Sequence, residues 1–184
     1  CVGARPVSMV DYIGCSFTDT RIFSEIGKGL AEGARQGEIS ISGGEISQIK
    51  EIINGVDLIG ACIGHVPIHK INTGKDIQPG NIIVGLASSG VHSNGLTLAR
   101  KILLGETRKE QEKNIKKFEE RLGQTLGEEL LEPTRIYVKP IMEMLGASID
   151  LKAMVHITSG GYSNLNRVEN DNVRFVIDPL PPVP

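Results

Sequence analysis

The amino-terminal part of the chain alternates between strand-like and helix-like patterns of apolar residues. Residues 5–13 predict a strand that carries one carboxylate, Asp11. Residues 21–36 predict a helix, because their apolar positions recur at helical intervals and Asp19 or a neighbouring threonine can cap its start. Residues 56–64 are apolar at successive positions, so we expect a strand in the centre of a sheet.

A shorter alternating segment leads into a glycine pair. Residues 38–42 alternate with a period of two, which predicts a half-buried strand that ends in Gly43-Gly44-Glu45. A polar connector follows over residues 65–79. We therefore expect a domain boundary near residue 72.

The rest of the chain repeats the alternation. The expected elements are strands at 81–87, 152–157 and 173–177, helices at 96–104 and from Pro140 to Gly146, and a charged surface helix or mobile insert at 107–121. Alternating elements on both sides of the boundary predict two α/β or α+β domains, residues 1–72 and 73–184.

Composition is that of an ordinary globular protein and argues against several classes of partner. Hydrophobic residues make up 40% and charged residues 23%. The net charge is −2 and the basic residues are dispersed along the chain, so we expect no nucleic-acid partner. The apolar runs are too short to span a bilayer, so we expect no membrane partner. Cys1, Cys15 and Cys62 form no CxxC or Cys/His metal spacing, and an odd number of scattered thiols favours packing roles and a reducing cytoplasm.

Two glycine-rich segments suggest anion sites. Residues 86–95 (LASSGVHSNG) lie between a predicted strand and a helix, where free N–H groups, serine hydroxyls and the helix dipole can form a pocket. The simpler explanation is that Ser93 or Asn94 only caps the helix. Residues 155–164 (VHITSGGYSN) repeat the arrangement, with His156 either a core residue or a site residue.

Several charged residues have both a structural and a functional explanation. The glycines at 43 and 44 could admit a ligand and Glu45 could hold a phosphate-bridging cation, although a tight turn explains the motif equally well. Asp11 on its apolar strand needs a compensating partner, either in a salt bridge or in a site. Arg135 and Lys139 could neutralise a substrate phosphate or lie at an interface.

A set of short motifs covers nearly the whole chain. They occupy residues 3–6 with 10–13, 29–35, 43–45, 85–95, 131–139 and 156–161. In this order they resemble the phosphoribosylformylglycinamidine cyclo-ligase family, also called AIR synthetase. The combination of SSGVHSNG and EPTRIYVK is the most specific part, since related families that share the fold lack both.

The resemblance implies a fold and an activity. The implied fold is a two-domain AIR-synthetase-like fold, with an incomplete amino-terminal mixed-sheet domain that forms a homodimer and a second α/β domain that is incomplete at its end. The implied activity is closure of the imidazole ring of aminoimidazole ribonucleotide from formylglycinamidine ribonucleotide, in cytoplasmic de novo purine biosynthesis. ATP would phosphorylate the formyl amide oxygen, with Mg2+ at the nucleotide phosphates.

The resemblance also implies roles for individual positions. Gly43, Gly44 and Glu45 would form the ATP and Mg2+ site, and His156 and Asp11 are the catalytic candidates. The implied site for the ribonucleotide phosphate consists of Ser88, Ser89, Gly90, His92, Ser93 and Asn94. The implied cleft loop contains Thr158, Gly160 and Gly161.

The chain also departs from the family pattern. The family's Asp-Gly-Val-Gly and Asn-Asp motifs would lie ahead of Cys1. We therefore expect the 184 residues of this chain, by themselves, to bind Mg-ATP poorly and to be inactive. Two alternatives stay open. One is another ATP-using enzyme of this fold, such as thiamine-monophosphate kinase, selenide water dikinase or formylglycinamidine synthase. The other is a catalytically dead relative that binds nucleotide or a partner.

Overall fold

The computed structural model of the protein describes residues 1–147 and 149–180. Contacts divide them into two units, namely Cys1–Thr73 with Ile136–Met154, and Gly74–Arg135 with the described residues from Val155 onward. The expected division into domains 1–72 and 73–184 stays a prediction, and residues 181–184 of the second domain lie outside the described part of the chain.

A three-stranded mixed sheet lies in the first unit, which also contains two α-helices. Strand β1 (Arg5–Cys15) pairs in parallel with β2 (Ser40–Gln48) and antiparallel with β3 (Val56–His65), in the order β2-β1-β3. The strands predicted over residues 5–13 and 56–64 are both confirmed, but the prediction that 56–64 is the central strand is wrong, since β1 is central in the described sheet. Apolar residues at successive positions indicate that both faces of a strand can be buried, but they do not determine whether the strand is central or at an edge of the sheet.

Helix α1 (Thr20–Gly37) confirms the helix predicted from the apolar stripe. The Asp19 side chain caps it by accepting a hydrogen bond from the backbone N–H of Arg21 at 2.9 Å. On its exposed surface, hydrogen bonds from Arg35 and then Gln36 to the Glu32 carboxylate lower the pKa of Glu32 to about 2. The start of this helix is therefore determined by a local side chain, Asp19.

The remaining helices and short strands include two predicted helices. They are a 3-10 helix at Ile68–Lys70, α2 (Leu96–Leu104), α3 (Arg108–Asn114), β4 (Phe118–Glu119), β5 (Gln124–Thr125), α4 (Leu126–Leu130), α5 (Val138–Gly146) and a 3-10 helix at Gly161–Arg167. The predicted helix at 96–104 is confirmed, and the helix predicted around Pro140 is confirmed as α5. The charged segment 107–121 contains α3 followed by the first strand of the β4–β5 hairpin.

Two capping boxes begin the short helices of the second unit. The Thr107 side chain accepts from the backbone N–H of Glu110, and the Glu110 carboxylate accepts from Thr107. Thr125 and Glu128 repeat this exchange at the start of α4. In each pair the backbone N–H of the threonine, and then its hydroxyl, lowers the pKa of the glutamate.

Three predicted strands do not form. Within residues 1–147 and 149–180, the segments 81–87, 152–157 and 173–177 contain no strand, so these predictions are wrong. Each segment has a suitable apolar pattern, but none of them pairs with another strand in the described structure. A strand needs a neighbour that completes its ladder of hydrogen bonds, and the pattern of a single segment cannot provide one.

Few side chains are fully enclosed, and each unit has its own small core. Ile13 and Cys15 are buried in the first unit, and Leu104 and Leu126 are buried in the second. By contrast, large apolar residues of the sheet are exposed, among them Val10, Ile46, Leu58, Ile59 and Ile63. None of the helices formed by the described residues is long and apolar enough to cross a membrane.

Candidate functional site

The first glycine-rich loop, residues 88–95, leads directly into α2. The N-cap of α2 is Gly95, with φ of 88°, and no side chain makes a capping hydrogen bond there. The simpler explanation, in which Ser93 or Asn94 caps the helix, is therefore wrong. These polar side chains are available for another role at the amino-terminal end of the helix.

Ser89 and His92 hold the middle of this loop in a tight turn. The backbone N–H of Ser89 donates to Nε2 of His92 at 2.9 Å. The Ser89 hydroxyl donates to the carbonyl oxygen of Pro133 at 2.8 Å. His92 itself has φ of 57°, a left-handed conformation that is uncommon for a residue with a Cβ atom. These hydrogen bonds help to hold the loop in this conformation.

The segment 132–135 supports the same loop. The Arg135 guanidinium donates from Nη1 to the carbonyl oxygen of Ala87 at 3.0 Å. A Cβ atom added to Gly90 would lie 2.7 Å from Cβ of Glu132, so the backbone can approach this closely only at a glycine. From the sequence, Arg135 is expected only to neutralise a phosphate or to lie at an interface, and no local signal indicates this contact with the loop.

The second glycine-rich loop, residues 158–161, is organised by one buried side chain. Asn164 is 4% exposed; its Oδ1 accepts from the backbone N–H of Thr158 at 2.8 Å, and its Nδ2 donates to the carbonyl oxygen of Ser159 at 2.9 Å. Gly160 and Gly161 follow with φ of 92° and 60°. The sequence places Asn164 near the loop without indicating this role, and the one local signal for it is an amide side chain shortly after a glycine pair.

The two loops meet within the second unit. Nδ2 of Asn94 donates to Oγ1 of Thr158 at 2.5 Å, across 64 residues of sequence. His156 lies two residues before Thr158, and it is exposed and outside any strand, so the alternative of a buried core histidine is wrong. The structure therefore brings predicted residues of the phosphate site and of the cleft loop to one place.

The motif Gly43-Gly44-Glu45 lies inside β2, so the prediction that a strand ends there is wrong. Gly44 pairs with Asp11 of β1, and a Cβ atom on Gly44 would lie 2.4 Å from Oδ1 of Asp11. The glycine is required because the Asp11 carboxylate occupies the space beside it. The motif is thus part of the sheet and does not form a flexible phosphate loop.

Asp11 and Glu45 cannot bind the same cation. Glu45 pairs with Tyr12, the residue after Asp11, and successive residues of a strand point to opposite faces of the sheet. Among the residues that the structure describes, no group of three or more His, Cys, Asp or Glu side chains could hold a metal ion. The expected Mg2+ site at Glu45 stays a prediction, and a cation held there by Glu45 would not be shared with Asp11.

Comparisons with known families agree with the motifs. The family models described as AIR synthase related protein, N-terminal domain, and AIR synthase related protein, C-terminal domain, match residues 1–66 and 78–184. The chain belongs to this family. Its mixed sheet and its helices are consistent with the AIR-synthetase-like α+β fold expected from the resemblance.

Individual relatives give a more specific similarity. The chain is 44% identical to the phosphoribosylformylglycinamidine cyclo-ligase of Methanothermobacter thermautotrophicus, over 98% of this chain and 52% of the relative. The enzyme of the same name from Pyrococcus furiosus is 44% identical, over 98% and 51%, and that of Methanopyrus kandleri is 46% identical, over 100% and 52%. The chain thus spans about half the length of these relatives.

Proposed function

We propose that the protein catalyses ATP-dependent ring closure of formylglycinamidine ribonucleotide to aminoimidazole ribonucleotide, a ligase reaction of purine biosynthesis. The identity of 43–46% with enzymes named for this reaction supports the proposal. The observation that carries it is the Asn94–Thr158 hydrogen bond, because it joins two loops that a phosphorylated substrate can contact together. The three free cysteines fit a reducing, cytoplasmic setting.

The proposed chemistry transfers a phosphoryl group and then displaces it. The formyl amide oxygen attacks the γ-phosphorus of ATP, and ADP leaves. The amidine nitrogen that carries the ribose then attacks the activated formyl carbon. A carbon–nitrogen bond forms, the carbon–oxygen bond breaks, inorganic phosphate leaves with the oxygen, and loss of a proton completes the imidazole. The protein's contribution is to position both substrates and to neutralise phosphate charge.

The ribonucleotide phosphate is proposed to bind at the first loop. Hydroxyls of Ser88 and Ser93 are exposed there, beside the N-terminal end of α2. Thr158, Gly160 and Gly161 are proposed to line the same cleft from the second loop. The exposed His156, beside this loop, is the candidate for proton transfer.

The first unit is proposed to contribute to the nucleotide site. Gly43 and Glu45 are exposed on the edge strand β2, and Asp11 lies beside them on β1. No step of the proposed chemistry is assigned to Mg2+, whose site at Glu45 stays a prediction. In the full natural protein, Glu45→Gln would lower turnover if Glu45 contacts the nucleotide phosphates through a cation; unchanged turnover would remove it from that role.

We also propose that the sheet of the first unit forms a homodimer. Apolar side chains along β3 are exposed, including Ile63 at 72%, and a second copy of the sheet would remove them from water. Light scattering of the full natural protein should give a dimer mass, and Ile63→Asp should shift it toward the monomer. Ile68→Asp, at an apolar residue of a 3-10 helix that is 85% exposed, is the matched control.

A direct assay tests the proposed reaction. The full natural protein is incubated with ATP and formylglycinamidine ribonucleotide, and ADP, inorganic phosphate and aminoimidazole ribonucleotide are measured together. We expect the three products in equal amounts. ATP consumption that leaves a stable phosphorylated product, or no ring product at all, would favour a kinase or a non-catalytic relative instead.

A further inference from the structure

Several polar groups of the first loop are already engaged within the protein. The Ser89 hydroxyl donates to the carbonyl oxygen of Pro133 at 2.8 Å, and a hydroxyl has only one hydrogen to donate. Nε2 of His92 accepts from the backbone N–H of Ser89 at 2.9 Å, so this nitrogen carries no proton. A phosphate can only accept from such groups, and neither the Ser89 hydroxyl nor Nε2 of His92 can donate to it in this arrangement.

We propose that the segment 132–135 is a positioning element that holds the phosphate-binding loop from behind, with Ser89 and Arg135 as positioning residues. On this assignment the ligand phosphate is bound by the hydroxyls of Ser88 and Ser93 and by loop N–H groups. The inference rests on the proposed function, since that supplies the phosphorylated ligand.

Arg135 contributes to the support of the loop through a backbone carbonyl. Its Nη1 donates to the carbonyl oxygen of Ala87, the residue that precedes the loop. A guanidinium that bound the phosphate would direct its paired N–H groups at phosphate oxygens instead. The Arg135 hydrogen bond fixes the start of the loop, as the Ser89 hydrogen bond fixes its middle.

The loop needs this support because its conformation is not one that a free chain favours. Gly90 and His92 both have positive φ, at 51° and 57°. Gly90 also lies against Glu132 so closely that a Cβ atom would overlap it. With the loop held in place before the ligand arrives, binding does not have to order it, which is the general advantage of preorganised donors.

Hydrogen exchange in the absence of ligand tests the positioning role directly. In the full natural protein, Ser89→Ala should raise the exchange rates of the backbone N–H groups of residues 90–94. Ser89→Thr keeps the hydroxyl and should restore protection. Ser88→Ala is the matched control, because no hydrogen bond to the Ser88 side chain forms among the described residues, and it should leave these rates unchanged. Equal exchange in the Ser88→Ala and Ser89→Ala proteins would overturn the proposal.

Ligand binding separates positioning from direct contact. Ribose 5-phosphate is titrated by calorimetry into each variant, and the thermal midpoint is measured to confirm that the protein is folded. Ser88→Ala and Ser89→Ala should each weaken binding by about tenfold, but only Ser89→Ala should do so together with faster loop exchange.

Arg135 is tested with Arg135→Met and Arg135→Lys. Met keeps the apolar stem without a donor, and it should speed loop exchange and weaken binding by about tenfold. Lys keeps a donor for the Ala87 carbonyl, so Arg135→Lys should recover most of the loop protection and most of the binding affinity. If Arg135→Met weakens binding with loop exchange unchanged, Arg135 contacts the phosphate itself and the proposal is wrong.

Failure of the proposed function would look different. A protein that protects its loop as described but closes no imidazole ring would leave the positioning assignment standing and refute the reaction. If the protein closes the ring but Ser89→Ala and Arg135→Met leave loop exchange unaltered, the proposed reaction stands and the positioning assignment is refuted.

Discussion

Asn94 and Thr158 are joined by a hydrogen bond from Nδ2 of the first to Oγ1 of the second, although 64 residues separate them in sequence. Each residue belongs to a glycine-rich loop that leads into a helix, α2 or the 3-10 helix at Gly161–Arg167. The hydrogen bond links the two loops directly, so a substitution in one loop should change ligand binding by the other.

The first prediction is that Asn94 and Thr158 are energetically coupled. Asn94→Ala and Thr158→Val should each weaken binding of ribose 5-phosphate, and the double variant should be little worse than either alone. The expected coupling is about 1 kcal/mol, the usual size for one hydrogen bond. A double-mutant cycle measured by calorimetry gives this value.

Thr158→Ser provides the control for this coupling, because it keeps the hydroxyl that accepts from Asn94. Binding close to that of the unchanged protein is expected. Strictly additive losses for Asn94→Ala and Thr158→Val would show that the loops act independently.

The sequence could predict where these loops lie, because each has a local signal. Glycine and serine cluster at 88–95 and at 158–161, and the apolar stripe of 96–104 marks the helix that follows the first cluster. The Asn94–Thr158 contact has no such signal. It depends on how distant segments pack, and the same is true of the support that Pro133 and Arg135 give to the first loop.

The sequence misled at Gly43-Gly44 for a related reason. A glycine pair normally marks a turn, but here Gly44 makes room for the Asp11 carboxylate of the neighbouring strand and the strand continues to Gln48. Only the register of β1 against β2 reveals that reason. The same register places Glu45 on the opposite face from Asp11, which the order of residues alone could not indicate.

The second prediction compares the two glycines of β2. Gly44→Ala should lower the free energy of unfolding by about 1–3 kcal/mol, since its Cβ atom would lie 2.4 Å from Oδ1 and 2.8 Å from the backbone oxygen of Asp11. Gly43→Ala should raise it by up to about 1 kcal/mol, because no atom lies within 4 Å and alanine loses less entropy in a strand. Urea unfolding measures both.

These two variants control for each other, since they make the same substitution at adjacent positions of one strand. Equal effects of the two substitutions would mean that the Asp11 carboxylate does not occupy the space beside Gly44.

The third prediction concerns pH and Glu32. Hydrogen bonds from Arg35 and Gln36 lower the pKa of Glu32 to about 2 in the folded protein, from a usual value of about 4.3 in an unfolded chain. A lowered folded pKa gives stability that is fully present above the unfolded value and is lost as the pH falls through the folded one. The stability difference between the protein and Glu32→Gln should therefore be constant above about pH 5 and shrink between about pH 4.3 and 2.

Denaturant unfolding at a series of pH values measures this difference, and high salt should reduce it because the groups are on the surface. A difference that grows as the pH falls would contradict the assigned direction of the pKa shift.

The last prediction follows from the burial of Asn164, whose side chain satisfies two backbone groups of the second loop at once. Asn164→Ala should lower the free energy of unfolding by about 1–3 kcal/mol, because the N–H of Thr158 and the carbonyl of Ser159 lose their partner. Asn164→Asp keeps an acceptor for Thr158 but removes the donor to Ser159 and buries a charge, so its loss should be at least as large at pH 7.

Asn166→Ala is the matched control, since Asn166 is an exposed asparagine of the same 3-10 helix. It should change the free energy of unfolding by no more than about 0.5 kcal/mol. Because Thr158 also accepts from Asn94, the Asn164 variants should weaken ribose 5-phosphate binding at the first loop as well. If they lower stability but leave that binding unchanged, the second loop is a structural turn and not one wall of a shared site.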